Sequence, residues 1–187
     1  MLHLSPAVMF DHYLGISRLL AGQLDFRSAI RSVAAEVAHI IPHDHLDVCV
    51  LLEGGNYHTA YETGIETAWG GLAGAPVVNS PIRSLLWGEV DFLLADDAMT
   101  DPRFHFEGAF KRPIVEQSLR SRLHVPMKVQ GTIIAALSCS SHRAGVYTME
   151  DIERARIIAD LLRPYFFALQ AAEQAQRSAI VEAEARA

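Results

Sequence analysis

The chain has 187 residues, with 22 Asp and Glu against 16 Lys and Arg and a formal net charge of −6. With no cluster of basic residues along one face, this balance excludes direct nucleic-acid binding by the segment, and no apolar run approaches the roughly 20 residues of a membrane span. The length fits one domain plus extensions.

Two cysteines, Cys49 and Cys139, are too few and too far apart for a disulfide framework or a zinc spacing. The N-terminal MLHLSPAVMFDHY has no basic region ahead of an apolar core, so no secretory signal is read there. A reducing, cytoplasmic setting is the expectation.

In chain order, Met9, Tyr13, Ile16 and Leu20 recur at helical spacing. A second run, Phe26, Ile30, Val33, Ala34, Val37, Ile40 and Ile41, stops at Pro42, so two helices open the chain. His45 to Leu52 reads as a strand and Tyr57 to Glu62 as its antiparallel partner, joined by a turn at Glu53-Gly54-Gly55-Asn56. Residues 67 to 76, with three glycines and little periodicity, read as a loop. Ser80 followed by Pro81 starts a short helix that Gly88 ends. Val90 to Ala95 is a strand, Glu107 to Leu119 a helix, and Leu123 to Val129 pairs with Thr132 to Ser140 across Gln130-Gly131. Thr148-Met149-Glu150-Asp151 resembles a capping box with Asp in place of Glu, and it launches a long terminal helix with an expected kink at Pro164. This order predicts an α+β layer structure: a central antiparallel sheet with the terminal helices over one face.

Leu162, Tyr165, Leu169, Ala172, Gln176, Ala179 and Ala183 alternate three and four residues apart, the spacing of a coiled-coil seam. Tyr13 and Leu20 with Leu162, Tyr165, Leu169 and Ala172 are therefore the expected homodimer contacts. The helix reaches Ala187 without a C-cap glycine or breaker, which reads as a lead into a further output module.

Catalytic motifs are absent from the sequence. Gly70-Gly71-Leu72-Ala73-Gly74 lacks the following Lys of a phosphate loop, and there is no G-x-S-x-G, H-E-x-x-H or kinase signature. His43-Asp44-His45 lacks a third nearby ligand and reads as a loop. Asp96, Asp97, Asp101, Arg103 and His105 read as a turn capped by aspartates and tied by Arg103, and no metal is expected.

Residues 79 to 106, NSPIRSLLWGEVDFLLADDAMTDPRFHF, and 121 to 142, SRLHVPMKVQGTIIAALSCSSH, resemble GAF domains, the small-molecule sensing modules of signalling proteins. In that pattern a short helix ends in a turn like Trp87-Gly88-Glu89, an acidic loop closes with Asp101-Pro102-Arg103-Phe104, and a hydrophobic hairpin follows. The resemblance covers roughly residues 25 to 165, leaving 1 to 24 as a dimerisation helix and 166 to 187 as a signalling helix. It implies a ligand pocket on the sheet face away from the terminal helices, formed by Trp87, Phe92, Phe104, Phe106, Phe110 and Ile114. His124, Ser138 and Ser140 would be its polar groups, with Asp96 and Asp97 in the acidic loop as the next candidates.

Bilin-binding members attach their chromophore through a cysteine often found in the helix at 107 to 119, which has none here. The N-K…F…D-E pattern of cyclic-nucleotide binders is also missing, so the cofactor stays open. Cys49 and Cys139 fall on strands that are neighbours in the family's sheet, which would let them approach closely. The resemblance implies a noncatalytic sensor, most simply feeding a histidine kinase. A transcription activator, a cyclic-dinucleotide enzyme or a thiol enzyme like the GAF-type methionine sulfoxide reductases are the alternatives.

Overall fold

Strand alternation and helical periodicity together build the architecture seen in the computed structural model, which describes residues 4–21, 26–52, 54–65, 74–105 and 111–185. The elements are α1 (Pro6–Ala21), α2 (Phe26–Ile40), β1 (His45–Leu52), β2 (Asn56–Gly64), β3 (Ala75–Pro76), α3 (Arg83–Leu86), β4 (Leu93–Ala95), α4 (Lys111–Glu116), β5 (Ser121–Val129), β6 (Thr132–Ser141) and α5 (Met149–Ala185). The strands form one six-stranded sheet in the order β3-β2-β1-β6-β5-β4, and every pairing is antiparallel.

Because side chains alternate along a strand, each strand offers one set to each face. Leu46, Val48 and Val50 of β1, Leu123, Val125 and Met127 of β5, and Ala135, Leu137 and Cys139 of β6 face α1, α2 and α5 and form the main core. Ile30, Val33 and Val37 of α2 and Ile152, Ile158, Leu162 and Phe166 of α5 fill it from the helical side.

Two turns are set by glycine. Gln130 and Gly131 both have positive φ, 49° and 82°, as a two-residue hairpin loop requires. Gly64, at φ 93°, lies so close to Asp44 that a Cβ would sit 2.2 Å from its carbonyl oxygen.

Several boundaries differ from the sequence expectation. β4 begins at Leu93 rather than Val90, because residues 88 to 91 are an exposed turn and β5 pairs with residues 93 to 95 alone. Ala75–Pro76, inside the expected loop, is a short edge strand on β2, where proline is tolerated. Ser80 does cap the turn ahead of α3, its Oγ accepting from the Ile82 N–H at 3.2 Å. At α5 the Asp151 carboxylate accepts from both the N–H and the hydroxyl of Thr148, each at 2.9 Å. The helix then runs through Pro164 without a break in its assignment. The expected glycine loop at 67–73 lies outside the described residues, as do Glu53 and residues 106–110 of the expected fourth helix.

The expected dimer seam needs correction. Leu20 and Leu162 are buried in the chain's own core, and Tyr13 and Tyr165 pack against the same core. A helical stripe cannot tell its own sheet from a partner, and here the sheet takes it. The side chains of Leu169 and Ala172 lie outside the described set. On the described parts of α1 and α5, Val8, Phe10, Leu19, Ile157 and Phe167 remain exposed.

Candidate functional site

The other face of the same strands carries a different composition. β1 presents Asp47 and Cys49, β5 presents Arg122 and His124, and β6 presents Ala136, Ser138 and Ser140, while Tyr57 and Thr59 join from β2. Pro81 and Ile82 ahead of α3, Ile114 of α4 and the aromatic ring of Phe104 close over this face. Between them lies a cavity of about 40 Å³, lined by Asp47, Cys49, Tyr57, Thr59, Ser80, Pro81, Ile82, Ile114, Arg122 and His124. Phe104 stacks on His124 with ring centroids 6.5 Å apart, and the Arg122 guanidinium sits 5.5 Å from the centre of the same ring.

The electrostatics follow from burial. Asp47, Arg122 and His124 are each no more than 4% exposed. Burial raises the Asp47 carboxyl above its usual range, opposed by the charges of His45 and Arg122 and by a hydrogen bond from Ser138. Burial likewise lowers the Arg122 guanidinium, opposed by Asp47. Each of the two opposes the other's shift, since either charge alone would be costly to bury. His124 falls well below the ordinary histidine value, through burial first and then the positive charges of Arg122 and Arg103, so its ring is neutral. Tyr57 is pushed up to about 12 by burial, against a hydrogen bond with Ser80.

His124 Nδ1 and Ser138 Oγ lie 2.7 Å apart and share a hydrogen bond. That leaves the other ring nitrogen, Nε2. Together with Asp47 Oδ1 and Ser140 Oγ it has no hydrogen-bond partner among the described residues. Each such buried group costs roughly 1–3 kcal/mol, and three gathered on one face is a concentration that ordinary core packing avoids.

Family and structural comparisons agree with this fold. The GAF domain model matches residues 25–163. The chain belongs to the GAF domain family. Among solved structures this GAF domain is similar to that of a phosphoenolpyruvate-protein phosphotransferase from Coxiella burnetii, with 16% identity, TM-score 0.75, and coverage of 91% of this chain and 99% of that one. It is similar to free methionine-R-sulfoxide reductase from Neisseria meningitidis, solved in complex with its substrate, at 16% identity and TM-score 0.70, covering 92% and 98% of the two chains. The chromophore-binding domain of a bacteriophytochrome from R. palustris matches at 16% identity and TM-score 0.64, covering 88% of this chain and 62% of that one. At these identities the likeness is one of fold. A sequence search of curated proteins found no match.

The residues singled out from sequence separate into three groups. Ile114 and His124 line the cavity, Phe104 and Ser138 contact His124, and Ser140 lies on the same face. Phe106 and Phe110 lie outside the described residues. Trp87, at 53% exposed, stands clear of the cavity, and Phe92 packs against the helical core on the opposite face, with the Arg156 guanidinium 5.7 Å from its ring centre. Phe92 immediately precedes Leu93, whose side chain and that of Ala95 face the cavity side, so alternation sends Phe92 with Leu94 to the helical face.

The acidic loop is an anchored turn. Asp96 is exposed and its carbonyl accepts from Gly145 N–H at 2.8 Å. Asp97 accepts from Met99 N–H and pairs with Arg120. Asp101 caps the backbone of Arg103 at 2.9 Å and pairs with its side chain, while Arg103 also donates to the Leu94 carbonyl at 2.7 Å. Among the described residues no group of three metal-binding side chains forms. Asp44 is engaged by Ser141 at 2.8 Å and the His142 N–H at 2.9 Å, while His45 lies 3.3 Å from Glu62.

The thiols do not approach one another. Cys49 pairs with Ala136 and Cys139 with Leu46, which places the sulfurs on opposite faces of the sheet although β1 and β6 are neighbours. Both are free and buried, and burial pushes both thiols far up. Asp47 and Arg122 were missed from sequence. Their signal was visible: a charge inside an otherwise apolar strand, in HLDVCVLL and in SRLHVPMKV.

Proposed function

We propose that this GAF domain is a noncatalytic sensor that holds a small polar molecule in the cavity over Asp47, Arg122 and His124 and passes its occupancy to α5. The observation that carries this reading is the pair of buried polar atoms with no partner among the described residues, Asp47 Oδ1 and His124 Nε2, on two residues that line a cavity. A ligand supplies the missing hydrogen bonds. The sheet links the two ends of the device, since Arg122 and His124 alternate along β5 with Leu123 and Val125, which belong to the core that α5 fills.

A histidine kinase is the output that best fits a helix continuing to Ala185, and two copies pairing through α1 and α5 complete the proposal. The exposed Phe10 and Phe167 are the seam residues this pairing would use. A thiol enzyme is the second reading, prompted by the likeness to the Neisseria reductase. Against it stand two thiols that are buried and held protonated, the reverse of a reactive cysteine's setting.

Ile114→Trp fills the cavity from its rim. Native mass spectrometry should find a small molecule retained by the parent protein and absent from this variant at unchanged circular dichroism; equal retention by both moves the site elsewhere. For the assembly, light scattering on a Phe10→Asp, Phe167→Asp double variant should give a monomer, and a dimer unaffected by both changes rules out pairing through these helices.

A further inference from the structure

The cavity's chemistry is mixed in sign, and that mixture narrows what fits. A simple anion would suit Arg122 but set a further acceptor against Asp47 Oδ1, which has no partner among the described residues. A simple cation would satisfy Asp47 but meet the Arg122 guanidinium in the same small cavity. A molecule carrying both charges answers both walls. The remaining lining, Cys49, Pro81, Ile82 and Ile114, is apolar. A volume of about 40 Å³ limits the occupant to a handful of non-hydrogen atoms, because a single water already needs roughly 10–15 Å³.

Resting on the reading of this cavity as the sensing site, we propose that its ligand is a small zwitterion, an α-amino acid with a short side chain. Its carboxylate lies against Arg122, its ammonium donates to Asp47 Oδ1 and His124 Nε2, and its side chain points to Ile82 and Ile114. The planar guanidinium matches a carboxylate in two-point geometry. The neutral ring of His124, bonded to Ser138 through Nδ1, accepts from an ammonium in its Nδ1–H tautomer, where a protonated ring would repel it. Ligand and site charges then cancel in pairs, so the buried cavity holds no net charge.

Calorimetric titration and thermal unfolding of the intact chain with glycine, L-alanine and L-serine test this, using propionate, ethylamine and L-alaninamide as controls. At least one of the three amino acids should bind and, at ~100-fold above its Kd, raise Tm by about 5–10 °C. The controls, each lacking one charge, should bind at least ~100-fold more weakly. Asp47→Asn and His124→Gln should each weaken amino-acid binding at unchanged circular dichroism. The control series needs no variant, so a folding failure of either leaves the test intact. Propionate or ethylamine binding as well as L-alanine overturns the zwitterion. A different molecule retained by the parent protein and lost in Ile114→Trp overturns it while preserving the cavity as the sensing site. No binding by any probe together with no retained molecule overturns both.

Discussion

The two faces of the sheet are made by the same strands and differ in almost everything else. Toward the helices, β1, β5 and β6 present Leu46, Val48, Leu123, Val125, Leu137 and Cys139, a face without a charge. Toward the cavity they present Asp47, Arg122, His124, Ser138 and Ser140, all buried, with Asp47 Oδ1, His124 Nε2 and Ser140 Oγ lacking hydrogen-bond partners among the described residues. A period of two lets one strand serve both ends. Stability is concentrated on one face, and the polar groups on the other are tolerated because the first face carries the fold.

If that division holds, the helical face should respond most to truncation. Leu137→Ala should destabilise by about 2–5 kcal/mol in urea unfolding followed by circular dichroism, through lost burial and the space left behind. A loss below about 1 kcal/mol would mean that this face is not the one holding the domain together.

The two thiols sharpen the comparison, because one substitution can be made on each face. Cys139→Ser places a hydroxyl among Leu46, Leu123 and Leu137 and should cost about 1–3 kcal/mol. Cys49→Ser places it on the polar face, where the Ala136 backbone already hydrogen-bonds the sulfur, and should cost less than about 1 kcal/mol. Equal costs, measured by the same unfolding experiment, would erase the distinction between the faces.

The smallest expected effect is a pH dependence belonging to the polar face. His124 stays neutral in the folded protein, with its pKa well below 6.5, while in the unfolded chain it takes up a proton near the ordinary value. Below about pH 6.5 the unfolded chain therefore binds more protons, so this contribution to stability is fully present above that pH and is lost as pH falls toward the folded-state pKa. His124→Gln should make the decline between about pH 6.5 and pH 5 shallower, with no change in slope above about pH 7. Parallel curves for parent and variant would show that the ring is not buried in its neutral form.

Long periodic elements were readable before any coordinates. The spacing of Ile30, Val33 and Val37 marked a helix, Gln130-Gly131 marked a hairpin, and the stretches at 79–106 and 121–142 carried the family pattern. What escaped depended on register and on competition between surfaces. Phe92 lies on the helical face because it alternates with Leu93 and Ala95, which point to the cavity side. Leu20 and Leu162 went to the chain's own core because an amphipathic stripe specifies burial without specifying the partner. Asp47 and Arg122 stood out as charges within apolar runs, yet that they share a wall follows from β6 lying between their strands, a non-local pairing with no trace in local sequence.

α5 begins inside the domain and continues beyond it. Its first half, through Phe166, is clamped to the sheet, and the same rod runs on to Ala185. At 1.5 Å per residue the free portion is a lever arm of about 30 Å. A tilt of about 5° at the clamp, within what small repacking of a core allows, sweeps the far end by about 2–3 Å. The cavity can therefore stay small and stiff, because the length of the helix supplies the amplitude.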